Sequence, residues 1–198
     1  MARKTLYDRL YATFEQAMQG STLRYIPLRN ADPQKLQTLM SSDDEAFPKY
    51  MFLKPDAYKE HGSEGLCKIM CDYQEATRQH YRFLVQDGEN GPYLGSLDFM
   101  SKPHTRCIEL GYFVLPSVAG KGIATHMVQD AQSAMAYFQA KLGARSLSLV
   151  VDADNAASMA IARKTGFTEK RRYVSEHPMN VGKIDVDWVF TPERHRAR

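Results

Sequence analysis

Apolar residues recur at every fourth position at the start of the chain, at Leu6, Leu10, Phe14 and Met18. This spacing predicts an amphipathic helix that ends at Gly20 and Ser21. The stripe could cover the chain's own sheet or a partner subunit, so a monomer and a homodimer both remain open, and we expect intramolecular packing. We assign residues 1–20 as a helical extension, 21–191 as the main domain and 192–198 as a basic tail.

The following segments change pattern several times. Residues 22–28 alternate like a first strand, and Asp32–Pro33 begins a helix that runs to Met40 with proline at its first position. Residues 47–58 are rich in proline and aromatic side chains and have no clear period, so they either wall a substrate pocket or are loops over a sheet. Residues 64–81 predict a helix with four residues on its apolar side, Leu66, Ile69, Met70 and Tyr73.

From Tyr81 onward the pattern predicts strands. Residues 82–86, 93–100 and 106–115 are expected to form an antiparallel meander with turns at 87–88 and 103–104. A long helix then ends near Gly143, and its apolar stripe consists of Ile123, Met127, Ala131, Ala134, Phe138 and Leu142. Residues 146–151 predict a strand parallel to 108–115, because a helix separates the two.

The C-terminal part predicts one more helix and two more strands. Asp154 and Asn155 cap a helix that ends at Gly166 and packs through Met159, Ile161 and Ala162. Residues 167–174 and 183–190 alternate as strands, with a loop at 175–182 between them. The elements predict an α+β protein in which helices flank a mixed sheet.

Composition narrows the classes of function. The 198 residues fit one domain, and 43% hydrophobic residues are enough for a core. The net charge is +3, of which the tail, with three arginines and Glu193, carries +2, so we expect no DNA partner. That tail is expected to be a hydrated end. We find no apolar run of the roughly 18 residues that cross a membrane and no signal region, and we expect a cytoplasmic protein without a membrane partner.

The three cysteines, Cys67, Cys71 and Cys107, are an odd number, which argues against a disulfide framework and predicts reduced thiols. Cys67 and Cys71 lie near His61 and His80 in the sequence, so a metal site is conceivable. Their spacing matches no common zinc pattern, and we expect small buried side chains and no metal.

Residues 118–124, Val-Ala-Gly-Lys-Gly-Ile-Ala, carry the strongest chemical signal. Gly120 and Gly122 allow the backbone to approach an anion, and the helix that begins there directs unpaired N–H groups at it. Alone, such a Gly-Lys-Gly segment is typical of a plain turn. Asn155-x-x-Ser158 and the Gly166–Phe167 pair follow downstream, and the family resemblance that they complete, given next, makes a pyrophosphate site the better interpretation.

The order strand, Gly-x-Gly loop, helix, strand, Asn-x-x-Ser helix and Gly-Phe strand resembles the GCN5-related N-acetyltransferases (GNAT) over residues 23–191. Residues 153–158 and 162–167 are similar to the Rim-type branch, which acetylates the amino termini of ribosomal proteins. The resemblance implies the GNAT fold: an α/β/α arrangement whose sheet of six or seven strands is splayed open between the two parallel strands. Acetyl-coenzyme A would lie in that cleft, with no metal. For a ribosome-associated substrate, the alternative for the basic tail is a weak contact to ribosomal RNA.

The resemblance also implies the contacts of this donor. Gly122 and Ala124 fill the small-residue positions of the family loop, whereas Ala119 stands where arginine or glutamine is usual. We expect backbone N–H groups and the helix dipole to hold the phosphates without that side chain. The implied donor-binding residues are Phe113, Val114, Leu115, Gly120, Lys121, Gly122, Ile123, Ala124, Asn155 and Ser158. As alternatives, Asn155 is a helix cap and Ser158 a solvent-facing serine.

Acetyl transfer to an amine needs a neutral nitrogen, a polarised carbonyl and a proton for the departing sulfur. The resemblance implies that Ser158 supplies the proton; many relatives use a tyrosine at the position of Ala162, which cannot do so here. Tyr112 is either a substitute acid or a core aromatic residue. Glu109 is our first choice as base, and the alternatives, any of which could simply be solvated, are Asp98, Glu176 and His177.

We therefore expect an enzyme that transfers acetyl to a primary amine, and the resemblance favours a protein amino terminus. A small-molecule amine such as a polyamine, an amino acid or an antibiotic is the close alternative. Acidic residues that could attract it, or form a solvated loop, are Asp43, Asp44, Glu45 and Asp56. A non-catalytic acyl-coenzyme A sensor is the second alternative, supported by Ala119 and Ala162.

Overall fold

A computed structural model describes residues 6–21, 23–40, 62–65, 67–72, 80–176 and 181–192. The first part of the chain contains α1 (Leu6–Ala17), β1 (Arg24–Pro27), α2 (Pro33–Met40) and helical residues at 62–65 and 67–72. The remaining elements are β2 (His80–Gln86), β3 (Tyr93–Lys102), β4 (Cys107–Val114), α3 (Ile123–Ser133), α4 (Met135–Leu142), β5 (Ser146–Asp152), α5 (Ala156–Lys164), β6 (Thr168–Val174) and β7 (Ile184–Phe190).

The seven strands form one sheet in the order β1-β2-β3-β4-β5-β7-β6. Neighbouring strands are antiparallel except β4 and β5, which are parallel as the sequence predicts. Side chains of α1, α3, α4 and α5 share the main core on one face, while α2 and residues 67–72 pack on the other. The layered α+β prediction is confirmed.

Helix α1 packs against the chain's own sheet. Tyr11, Phe14 and Met18 are buried in the main core. The ring of Phe14 stacks on Phe99 of β3 at a centroid distance of 4.8 Å and lies 5.4 Å from the ring of Phe138 of α4. The apolar stripe of α1 therefore contributes to the same core as the rest of the domain.

The predicted helix over residues 64–81 is wrong at its end, because β2 begins at His80 and contains Tyr81. Tyr81 is buried in the main core with Phe83, since side chains two residues apart in a strand share one face. Ile69 was also placed wrongly, because its side chain is 38% exposed. Leu66, Tyr73 and the whole 47–58 segment lie outside the described residues.

The long helix predicted after the glycine loop is divided at Ala134 into α3 and α4. The interruption is local, because the Ala134 N–H still donates to Asp130 O at 3.1 Å and the Phe138 N–H donates to Ala134 O at 3.0 Å. Ala134 and Phe138 are both buried, so the predicted stripe continues across the break.

Candidate active site

The parallel strands β4 and β5 are paired in the sheet over only three residues of each strand. The pairs are Cys107–Ser146, Ile108–Leu147 and Glu109–Ser148. Beyond them β4 continues beside β3 as far as Val114, which pairs with Gly95. One edge of β4 after Glu109 therefore faces a gap in the sheet, without a strand partner in the described parts of the chain.

The loop at the end of β4 turns into α3 through two glycines. Gly120 has φ +76° and Gly122, the residue before α3, has φ +85°. Residues other than glycine rarely adopt this left-handed backbone conformation. No atom lies within 4 Å of a Cβ built at either position, so one side of each glycine is open space.

Backbone N–H groups at this turn lack acceptors. The Lys121 N–H donates to Val118 O at 3.4 Å, and the His126 N–H makes the first helical bond to Gly122 O at 3.0 Å. At this turn, five N–H groups have no acceptor within the described ranges, those of Gly120, Gly122, Ile123, Ala124 and Thr125. Converging N–H groups at the positive end of a helix dipole are suited to an anion. Thr125 was not predicted, although any helix leaves its first N–H groups free.

On the main-core face of the gap, Tyr112 lies beside Ser158. The Tyr112 oxygen is buried and has no partner in hydrogen-bond geometry within the described part of the chain. Burial raises the pKa of Tyr112, and the nearby side chain of Ser158 lowers it by a smaller amount. The structure thus brings together the two hydroxyls that the sequence offered as acids. Ala162 is fully buried and supplies no hydroxyl.

Asn155 is the N-cap of α5. Its side-chain oxygen accepts a hydrogen bond from the Ser158 N–H at 3.1 Å. This is the capping interaction that was the alternative to donor contact, and it orients the first turn that carries Ser158. A contact between Asn155 and the donor stays a prediction.

Glu109 lies on the opposite face of the sheet from Tyr112. Its side chain is 15% exposed and forms an ion pair with Lys102 of the neighbouring strand β3. Glu109 is also the last residue of β4 that pairs with β5. A carboxylate is therefore positioned where the two strands begin to diverge.

Asp98 is poorly suited to act as a base. It is buried and receives two hydrogen bonds of 2.7 Å from Arg82, and the His80 Nε2 atom lies 3.1 Å from its carboxylate. Burial opposes ionisation of Asp98, but the charges and hydrogen bonds of Arg82 and His80 outweigh it and hold the pKa well below its usual range. A carboxylate with so low a pKa has little affinity for a proton from an amine. This three-residue cluster was not predicted.

The remaining candidates are distributed as follows. Glu176 is exposed after the end of β6, while His177 lies outside the described residues together with His61 and the acidic residues at 43–45 and 56.

The described cysteines are free thiols, and no group of three potential metal ligands occurs in the described ranges. Where the chain is described, none of the helices is sufficiently long and apolar to span a bilayer.

Comparisons with known proteins agree with this geometry. The profile of the family described as acetyltransferase (GNAT) domain matches residues 22–168, which include the glycine turn, α5 and the gap. No curated protein matches the chain significantly in sequence.

Several solved structures share the fold. A ribosomal-protein-S5-alanine acetyltransferase from Vibrio fischeri is 12% identical, with a TM-score of 0.68 over 87% of this chain and 93% of the other. A ribosomal L7/L12 α-N-protein acetyltransferase in complex with coenzyme A is 18% identical, with a TM-score of 0.65 over 87% and 95%.

A spermidine N-acetyltransferase from Vibrio cholerae, in complex with coenzyme A and spermine, is 19% identical, with a TM-score of 0.64 over 85% of this chain and 95% of the other. At these identities the structures show a common fold, and the profile match shows the family. The splayed sheet and the N–H groups at the start of α3 are thus features of a member of the GNAT family of acetyltransferases, to which this chain belongs.

Proposed function

We propose that the protein transfers the acetyl group of acetyl-coenzyme A to the amino terminus of a protein. The observation that carries the proposal is that five unpaired N–H groups, in the glycine turn and in the first turn of α3, lie at the end of the strand that borders the gap between β4 and β5. An acyl donor with a pyrophosphate and a long amide-bearing arm fits both features. Its pyrophosphate suits the N–H groups, and the amides of its arm suit the open edge of β4.

The chain's own groups would bind the donor at two places. The N–H groups of residues 120 and 122–125 would hold the pyrophosphate, with Lys121 adding a nearby positive charge. The edge of β4 at residues 113–115 would pair with the amides of the pantetheine arm like an additional strand. The family commonly has arginine or glutamine at the position of Ala119. Because backbone N–H groups would hold the pyrophosphate, alanine at this position leaves those donors in place.

The two faces of β4 divide the proton transfers. On one face Glu109 takes a proton from the ammonium group, directly or through water, so that the neutral nitrogen attacks the acetyl carbon. As the C–N bond forms, the C–S bond breaks, the electron pair leaves on sulfur, and the nitrogen loses its second proton to water to give the neutral amide. On the other face Ser158, or Tyr112 beside it, donates a proton to that thiolate. Lys102 holds the Glu109 carboxylate at its face of the sheet.

The acceptor class is supported by the fold similarity to two enzymes that act on ribosomal proteins. A protein of this kind would work in the cytoplasm, which the three free cysteines fit. A polyamine is the second candidate, because the spermidine enzyme has a comparable TM-score of 0.64.

The test combines binding with turnover. Calorimetry with acetyl-coenzyme A is followed by a thiol-release assay with short peptides bearing a free amino terminus, the same peptides with a blocked amino terminus, and spermidine. We expect binding, and release with free peptides only. Release with spermidine alone supports the second candidate, binding without release on any amine supports a sensor, and absence of binding contradicts the assignment of the donor.

A further inference from the structure

Gly111 is in the middle of β4 at a place where the fold does not require a glycine. Its φ is not among the positive values of the chain. A Cβ at this position would lie 3.5 Å from Asp98 Cβ and Met100 Cε, which is ordinary van der Waals contact. Gly95 of β3 differs, because a Cβ there would lie 2.1 Å from Phe113 O.

A glycine within a strand makes the folded protein less stable than an alanine would, because glycine loses more conformational freedom on folding and has no side chain to pack. At Gly95 the close backbone explains the glycine. At Gly111 neither sterics nor the backbone explains it. A remaining physical reason for a strand glycine is that a ligand approaches the backbone closely.

The position of Gly111 indicates which ligand that is. Gly111 follows Glu109 on the same face of β4, since the residues are two apart, and Tyr112 points to the other face. It lies beyond the last pair with β5, and it is half-buried although its neighbour Leu110 is 3% exposed. Gly111 thus presents accessible backbone next to the carboxylate that we assign as the base.

We infer that the amine acceptor crosses the face of β4 at Gly111, and that the missing side chain leaves room for the carbon next to its reacting nitrogen. The inference rests on the proposed function, in which the proton leaves toward Glu109 and the sulfur departs on the Tyr112 face. An amine that approaches from the Glu109 side must pass Gly111 to reach the acetyl carbon. Gly111 is therefore a specificity-determining residue, and a branched carbon such as that of a peptide amino terminus needs its space most.

The test uses Gly111→Ala and Gly111→Val in the full chain. Each variant is measured for Tm, for the Kd of acetyl-coenzyme A by calorimetry, and for kcat/KM with the amine of the panel that the wild type acetylates fastest. For Gly111→Ala we expect an unchanged or higher Tm and an unchanged Kd, together with a loss of about tenfold or more in kcat/KM for the acceptor. Gly111→Val should lose more.

A gain in stability joined to a loss of acceptor turnover is a result that a purely structural glycine cannot produce. Equal acceptor kcat/KM in the wild type and in Gly111→Ala overturns the inference and leaves the proposed function intact. A lower Tm with a weaker Kd in Gly111→Ala also overturns it, since the glycine would then serve the fold. If Gly111→Val does not fold, the alanine variant decides. A wild type that binds acetyl-coenzyme A but acetylates no amine refutes the proposed function, and this inference with it.

Discussion

Glu109 of β4 faces Ser148 of β5, and beyond this pair the two strands diverge. The carboxylate is thus at the apex of the gap into which the acetyl group would be placed. We predict that Glu109→Gln lowers kcat by about 10²-fold to 10⁴-fold, the usual contribution of a general base, without changing the Kd of acetyl-coenzyme A. Steady-state kinetics and calorimetry measure the two quantities.

The matched control for that substitution is Glu169→Gln. Glu169 is exposed on β6 and pairs with Arg172, away from the gap. Its replacement should leave kcat within about twofold, because exposed ion pairs contribute little. Full activity of Glu109→Gln would exclude Glu109 as the base.

The glycine turn provides a second prediction. Gly122→Ala forces a side chain into φ +85°, which costs about 1–2 kcal/mol and displaces the N–H groups before α3. Gly143→Ala meets the same strain at φ +67° after α4, far along the chain from the turn. We expect a similar fall in Tm for both variants, but a weaker Kd for acetyl-coenzyme A only in Gly122→Ala. Equal Kd values would argue against anion binding at the turn.

Two tyrosines with buried hydroxyl groups should respond oppositely to loss of those groups. Tyr112→Phe removes a buried oxygen that has no partner in hydrogen-bond geometry in the described part of the chain. We therefore expect the free energy of unfolding to be unchanged or higher, while kcat falls. The Tyr11 hydroxyl donates to Arg82 O at 2.5 Å and accepts from the Leu28 N–H at 2.9 Å, so Tyr11→Phe should cost about 1–3 kcal/mol with kcat unchanged.

A double variant tests whether the two hydroxyls substitute for each other. If either Tyr112 or Ser158 can protonate the thiolate, Tyr112→Phe and Ser158→Ala together should lose more activity than the product of their separate losses. Strictly multiplicative losses would indicate independent roles. Denaturant unfolding of all three variants checks that their folds are intact.

The Asp98 cluster predicts a pH dependence of stability. Because Arg82 and His80 hold the pKa of Asp98 below the value of about 3.9 in an unfolded chain, the stabilisation that depends on the Asp98 carboxylate is present above that pH and is lost as the pH falls toward the folded pKa. Asp98→Asn should lower stability at pH 7 by about 3–5 kcal/mol, since buried Arg82 loses its carboxylate, and should reduce the decline of stability below pH about 4.

Asp72→Asn is the control for this substitution. Asp72 forms an exposed pair with Lys68 four residues earlier, so its replacement should leave stability nearly unchanged. Urea unfolding between pH 3 and pH 7 gives the curves. An Asp98→Asn curve parallel to that of the wild type would contradict the assignment.

The strands and the glycine turn could be predicted because local chemistry determines them. Alternation fixes which face of β4 a residue occupies, and Gly122 can adopt a conformation that other residues avoid. The helix α1 was predicted with a spacing of four residues, which drifts around a helix of 3.6 residues per turn. The buried residues follow the combined spacing of three and four, at Tyr11 and Phe14 in α1 and at Met18 directly after it.

The contacts between distant residues were harder to predict. Arg82 and Asp98 are 16 residues apart and become neighbours only once the register of the β2–β3 hairpin is known. The start of β2 was misassigned because residues 74–80 contain no glycine or proline that would mark the end of a helix, and tertiary packing decides where the strand begins. Gly111 gave no signal, since its meaning depends on what a Cβ would contact.

The short contact between β4 and β5 divides the sheet into a four-stranded antiparallel part and a three-stranded part. The two parts are otherwise joined through α3 and α4, whose Met127 and Phe138 share a core with Leu110 of one part and Leu149 of the other. Local unfolding tends to follow such boundaries, so the β5–β7–β6 part should exchange its amide hydrogens as a separate cooperative unit. A donor bound in the gap would contact both parts and join them into one cooperative unit. Binding of the donor would therefore slow amide exchange in the β5–β7–β6 part.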